Sequence, residues 1–235
     1  MPSSLSALIA ALLLFYCATI VTCLDPEQLQ TSVAYMRGLE ITDRQFAYAI
    51  QMTRDQCDTL DNNVMANVIP SDLKDDIQDA ILQGKVYEGS RIAFAIPVRH
   101  RNYWDHAEYQ LLVPDRSGES PVQRLLKEME PNQCVLFHSL LSPCLDYCID
   151  PQGFYSFLPY LNVFENINNN YKAFSFSYLY KDDQCCPTKD QLWDAWRQIR
   201  DEMPFYRCDN RPQCIECFAG GQQSKEQCLQ GFPRA

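Results

Sequence analysis

His106-Ala107-Glu108, followed by Pro143-Cys144 and then Cys148, are the side chains of this sequence best suited to act on one reaction. One imidazole and two thiolates make three soft zinc ligands. Three protein ligands leave a fourth position open, which is the arrangement of a catalytic zinc site rather than a structural one. A water in that position would have its pKa lowered toward neutrality. Glu108 would stand beside the metal as a proton shuttle and not as a ligand. Either half of the pattern is weak alone. His-x-Glu occurs by chance in many proteins, and Pro-Cys-x3-Cys in an oxidising compartment often marks half-cystines. Their order, the 34 residues between Glu108 and Pro143, and a strand-then-helix context join the halves into one signal.

The arrangement resembles the zinc-dependent cytidine and nucleobase deaminase superfamily. Its members carry His-x-Glu on one helix and Pro-Cys-x-x-Cys at the start of another. The matching positions are His106, Glu108, Pro143, Cys144 and Cys148. Leu145, Asp146 and Tyr147 separate the cysteines, where the commonest pattern has two residues. A helix accommodates the change, because i and i+4 share a face as i and i+3 do. The resemblance implies a three-layer α/β/α fold with a mixed sheet. It implies Zn2+ on His106, Cys144 and Cys148, with Glu108 as the catalytic acid–base. The implied reaction is hydrolytic deamination of a cytosine- or adenine-type amidine in a nucleoside, a nucleobase or a short nucleic acid. Asn102, Tyr103 and Trp104 directly precede the histidine and are candidate substrate contacts. Either ring could stack on a base, and Asn102 could bond a sugar or ring edge. The competing expectation is that Tyr103 and Trp104 pack under their loop.

Secondary-structure elements must bring these residues together. Asp25-Pro26-Glu27-Gln28 opens a helix carrying Leu29, Val33 and Met36. Thr42 is read as the cap of a second helix with Phe46, Ala49 and Ile50 inward. Ser71 caps a third, with Leu73, Ile77 and Ile81, ended by Gly84. Val86-Tyr87 and Arg91 to Val98 read as a hairpin, with Ile92, Phe94 and Ile96 on one bulky face. Asp105 is read as the cap of a helix starting at His106, and Pro121 to Glu130 as a further helix. Cys134 to Leu141 is apolar enough for a central strand. Ser142 is then the expected cap of a helix beginning at Pro143 and Cys144. Ala173 to Tyr180 is a strand, Asp190 to Asp201 a helix, and Phe205-Tyr206 a short last strand. Residues 1–23 are thus assigned to a signal peptide, 24–70 to an N-terminal helical extension, 71–206 to the deaminase-like domain and 207–235 to a cysteine-rich tail.

Charge and cysteines bound the setting. Residues 5–21 are an uncharged apolar run, read as a secretory signal cut near Cys23. A retained membrane anchor is the alternative. The formal net charge of −10 falls outside that run and argues against strong affinity for polynucleotides. A neutral nucleoside or base stays compatible with it. Of twelve cysteines, two lie in the leader and two in the metal motif. The other eight are Cys57, Cys134, Cys185, Cys186, Cys208, Cys214, Cys217 and Cys228, enough for up to four disulfides of open connectivity. Two rival arrangements follow from the same residues. Cys144 and Cys148 could instead pair with Cys134, Cys185 or Cys186, and Cys214-x-x-Cys217 has zinc-finger spacing. His138, in mid-strand, is expected to pack, and His100 to face solvent or substrate. The alternative function is a secreted, disulfide-rich interaction protein on a catalytically inactive deaminase fold.

Overall fold

The computed structural model describes residues 24–127, 129, 133–181, 183 and 188–232. The signal-peptide and anchor readings, and Cys185 and Cys186, lie outside the described residues.

In chain order the N-terminal elements are α1 (Pro26–Gly38), β1 (Ala47–Thr53), α2 (Arg54–Asp58), α3 (Asn62–Val68) and α4 (Leu73–Leu82). Next come β2 (Tyr87–Glu88), β3 (Ile92–Ala95), β4 (Val98–Arg99), β5 (Trp104–Asp105), α5 (Ala107–Leu112), α6 (Pro121–Lys127) and β6 (Gln133–Leu141). Two 3-10 turns, Leu158–Phe164 and Asn169–Tyr171, lead into β7 (Lys172–Tyr178). The chain then forms α7 (Lys189–Glu202), β8 (Phe205–Arg207), β9 (Ile215–Glu216) and α8 (Gly221–Cys228).

Local chemistry explains most boundaries. The Asp25 carboxylate accepts from the Glu27 and Gln28 amides at 2.6 and 3.3 Å, closing the first turn of α1. Ser120 and Gln123 exchange reciprocal bonds around the start of α6, as do Thr188 and Gln191 at α7. Gly84 leaves α4 with φ +68°, a conformation that costs glycine little.

Among the described residues the main sheet has seven strands in the order β2-β3-β1-β6-β7-β8-β9. β1 pairs antiparallel with both β3 and β6, whereas β6, β7 and β8 run parallel. The sheet is therefore mixed. Helices α1, α3 and α4 share one buried cluster with Tyr48, Ile50, Met52, Phe94 and Leu136. Helices α5, α6 and α7 share the other with Ala49, Ala93, Val135, Phe137 and Phe174. These two clusters make the α/β/α layering.

The helix expected from Thr42 is not formed, and its residues Ala49 and Ile50 lie in β1. The sequence there alternates small Ala47 and Ala49 with bulky Tyr48, Ile50 and Met52, a period of two. Alanine's helix propensity is outweighed by burial of the whole segment between two partner strands. Residues 24–70 thus keep the first of the two expected helices, add α2 and α3, and supply a strand inside the sheet.

Among the described residues three disulfides join Cys57 to Cys134, Cys208 to Cys214 and Cys217 to Cys228. The first ties α2 to β6. The other two consume the tail cysteines, so Cys214-x-x-Cys217 is not a metal site. The tail also carries regular elements: β9 adds an antiparallel edge to β8, and α8 follows.

Candidate metal centre and cavity

The side of the sheet beneath α5 is lined by Ala47, Ala49, Ala93 and Ala95, each at most 1% exposed. Small side chains let α5 settle directly on β1 and β3. Gln110 then pins the helix start, donating from Nε2 to the carbonyls of Ile96 and Asp105 at 2.6 and 3.2 Å. His106 itself occupies the N-cap position with extended backbone, one residue later than the expected Asp105 cap. Its ring is free to face the ends of the strands. Asp105 instead closes β5 and binds His100 Nε2 at 2.7 Å. Glu108 falls in the first helical turn and is buried.

The cysteines arrive from β6. Where that strand ends, the Ser142 amide donates to the Tyr178 carbonyl at 2.7 Å, and the Tyr180 amide donates to Ser142 Oγ at 2.9 Å. No regular helix follows, contrary to expectation. The chain makes one turn, with the Cys148 and Ile149 amides donating to the Cys144 carbonyl at 3.1 and 3.2 Å. Propagation stops there because Asp150 precedes Pro151 and is disfavoured in the helical region. The Asp183 carboxylate accepts from the Leu145 amide at 3.1 and 3.2 Å and fixes the turn. A single turn suffices to put Cys144 and Cys148 on one side, so the three-residue spacer is accommodated.

His106 Nδ1 lies 3.1 Å from Cys148 Sγ and 3.5 Å from Cys144 Sγ. The three donor atoms lie within 4.8 Å of one another. Tetrahedral zinc, with bonds of about 2.0–2.3 Å, places its ligand atoms about 3.5–3.8 Å apart, so the donor set fits the ion. Both thiols are free and buried, and Cys134 is engaged by Cys57. Hydrogen bonding from the Cys148 thiol and from His106 lowers the Cys144 pKa against the effect of burial. Burial raises that of Cys148, and the Cys144 charge adds to it.

Glu108 stands outside the ligand set. Its Oε1 accepts from Ser139 Oγ at 2.5 Å, and its Oε2 is buried without a hydrogen-bond partner. Burial raises the carboxyl pKa, with His106 and Ser139 opposing. An orphaned carboxylate oxygen beside three metal donors fits a site completed by a metal and its water.

A cavity of about 240 Å³ opens over these groups, walled by Pro97, Trp104, Leu141 and Tyr180, with Gln45 and Ser142 adding polar atoms. It is smaller than the ~300–1,000 Å³ usual for drug-sized ligands and suits one ring system. Of the three candidate substrate contacts, only Trp104 lines it. Trp104 is 47% exposed, so it does not pack under the loop, and the Arg99 guanidinium lies 5.7 Å from its ring centroid. Tyr103, 43% exposed, stacks on His100 at 4.5 Å, away from the cavity lining. Asn102 is exposed in the β4–β5 turn. His138 packs as expected, buried with Nδ1 2.8 Å from Ser175 Oγ.

Gln45, Ser139 and Tyr180 were missed from sequence. Only Ser139 had a legible signal: it falls on the same face of β6 as Val135 and Phe137, the face that α5 covers.

Among the described residues no helix is long and apolar enough to cross a membrane. No curated protein and no solved structure matches the chain. A family model, described as Secreted Novel AID/APOBEC-like Deaminase 1, matches residues 26–232, which takes in every element from α1 to α8 and all four residues of the candidate centre. The chain therefore belongs to the Secreted Novel AID/APOBEC-like Deaminase 1 family, a secreted branch of the cytidine deaminase superfamily.

Proposed function

We propose that the protein is a secreted zinc-dependent hydrolase that deaminates a nucleoside, a nucleobase or a short nucleic acid. One observation carries this reading. A buried carboxylate with an orphaned oxygen stands beside a His-Cys-Cys donor set at the base of a ring-sized cavity.

His106, Cys144 and Cys148 would hold the zinc. Zinc there supplies a Lewis acid that makes water a competent nucleophile near neutral pH. Glu108 Oε2, the unpartnered oxygen, takes a proton from the attacking water and hands it to the ring nitrogen. The same oxygen then takes the remaining proton of the added hydroxyl and delivers it to the amino group, so the C–N bond breaks as the carbonyl forms and the amine leaves as ammonia. Trp104 and Tyr180 flank the ring, while Pro97 and Leu141 keep bulk water from it.

The interaction-protein alternative accounts for the fold and disulfides but leaves Glu108 without a purpose. Burying a carboxyl with one oxygen unpaired is costly, and binding alone does not require it. The deciding comparison is zinc-loaded wild type against Glu108→Gln. Wild type should release ammonia from a nucleoside, base or oligonucleotide. The variant should keep zinc and fold and lose on the order of 100-fold or more in rate. If zinc-loaded wild type turns over none of these substrates, the hydrolase reading fails.

A further inference from the structure

Ser139 is a hydroxyl set among apolar neighbours. Its neighbours on that side of the sheet are Ala47, Ala49, Val135 and Phe137, and it is fully buried. Packing alone would be served by alanine, as at the facing position Ala47. The hydroxyl instead lies 2.5 Å from Glu108 Oε1 on one side and 3.4 Å from Gln45 Nε2 on the other.

The direction of these bonds is fixed by proton counting. A carboxylate can only accept, and a serine hydroxyl has one proton to give. That proton goes to Glu108 Oε1, so Ser139 Oγ must receive from Gln45, whose facing group is therefore the NH2. The chain runs one way, from the Gln45 amide through the Ser139 hydroxyl to Glu108 Oε1. With no such bond, the terminal torsion of a glutamate is broad and two-fold, and its two oxygens exchange freely. With it, Oε1 is tied to the strand and Oε2 is left over, in a side chain that lines the cavity.

We propose that Ser139, oriented by Gln45, is a positioning residue that locks the Glu108 carboxylate with Oε2 presented to the cavity. Its effect on turnover rests on the deaminase reading above, whereas its effect on geometry does not. Gln45 lines the cavity, and its own Oε1 is also buried without a partner, so the amide is anchored at its nitrogen end only.

The test uses zinc-loaded wild type, Ser139→Ala, Ser139→Thr and Gln45→Glu, with crystal structures of each and kcat and KM for the substrate found for wild type. In Ser139→Ala the Glu108 carboxylate should rotate or occupy two orientations. Its kcat should fall on the order of 10- to 100-fold with KM within about twofold, because the defect lies in aiming a reacting group. Zinc content should be unchanged. Ser139→Thr should restore both the single orientation and most of kcat, since it returns the hydroxyl. Gln45→Glu keeps the size but turns the donor into an acceptor, and should disorder the same carboxylate. A Ser139→Ala structure with Glu108 unmoved overturns the proposal, as does an unchanged kcat. If wild type turns over no substrate, the hydrolase reading fails by itself, and the Glu108 orientation in Ser139→Ala still decides the positioning role.

Discussion

His106 Nδ1 lies 3.1 Å from Cys148 Sγ although 42 residues of chain separate them. The contact closes a site that neither local segment holds alone, since α5 brings the imidazole and the turn after β6 brings the thiols. Removing one of three donors should therefore abolish high-affinity metal binding while leaving the fold. Purified wild type should carry one zinc per chain. His106→Ala should bind zinc on the order of 100-fold more weakly or worse, with the Cys57–Cys134, Cys208–Cys214 and Cys217–Cys228 disulfides intact. Metal analysis beside peptide mapping measures both. A zinc-free wild type with Cys144 or Cys148 oxidised would remove the metal centre.

Trp104 is the exposed ring on the cavity wall. Trp104→Ala should raise KM for a base-containing substrate about tenfold, the size of one stacking contact, with little change in thermal stability. Trp104→Phe should recover much of the loss. Tyr103→Ala and Asn102→Ala should leave KM within about twofold, because neither residue lines the cavity. Equal losses in all three would mean that the hairpin as a whole contacts the ligand.

The alanines beneath α5 set the height of His106 and Glu108 above the sheet. Ala49 faces Ala93 on one neighbour and Phe137 on the other, with no exposed surface. Ala49→Leu should destabilise the protein by about 1–3 kcal/mol through overpacking. It should also weaken zinc binding by displacing α5, although Ala49 touches no ligand. Urea denaturation and a zinc titration would show the paired effects. Lost stability with unchanged zinc affinity would mean that the helix is positioned from elsewhere.

His138 makes stability depend on pH from the opposite layer of the sheet. Its ring is buried 5.1 Å from the Tyr48 ring, with Ser175 and Ser177 hydroxyls at its nitrogens. Burial, with the Arg37 charge adding to it, pushes the imidazole down to about 3. The unfolded value is about 6.5, so between the two the unfolded chain binds the proton and the folded chain does not. The contribution is whole above pH 6.5 and declines as pH falls toward 3. Between pH 7.5 and 5, wild type should lose about 2 kcal/mol more than His138→Asn. Denaturation curves that fall in parallel for the two proteins would contradict this.

Some of this was written in single residues and short spacings. His106, Glu108, Cys144 and Cys148 announce themselves because metal and proton chemistry admit few residue types. A cap such as Asp25, and the alternation over Ile92, Phe94 and Ile96, act within a few residues and so are legible in order along the chain. Tertiary structure decided the rest. β1 is a strand because two partners bury it, and the period-two alternation over Ala47 to Met52 competes locally with alanine's preference for helix until they do. Cys144 to Cys148 forms one turn because Asp183, 38 residues on, holds the Leu145 amide while Pro151 forbids a longer helix. Trp104 lines the cavity while Tyr103, in the turn before β5, stacks on His100 instead, and only the docking of the hairpin sets which of the two rings is inward. The bond from Ser139 to Glu108 spans 31 residues and joins a strand to a helix. Sequence determined which groups could do chemistry, and packing decided which of their atoms meet, because contact is a property of distance in space and not of spacing along the chain.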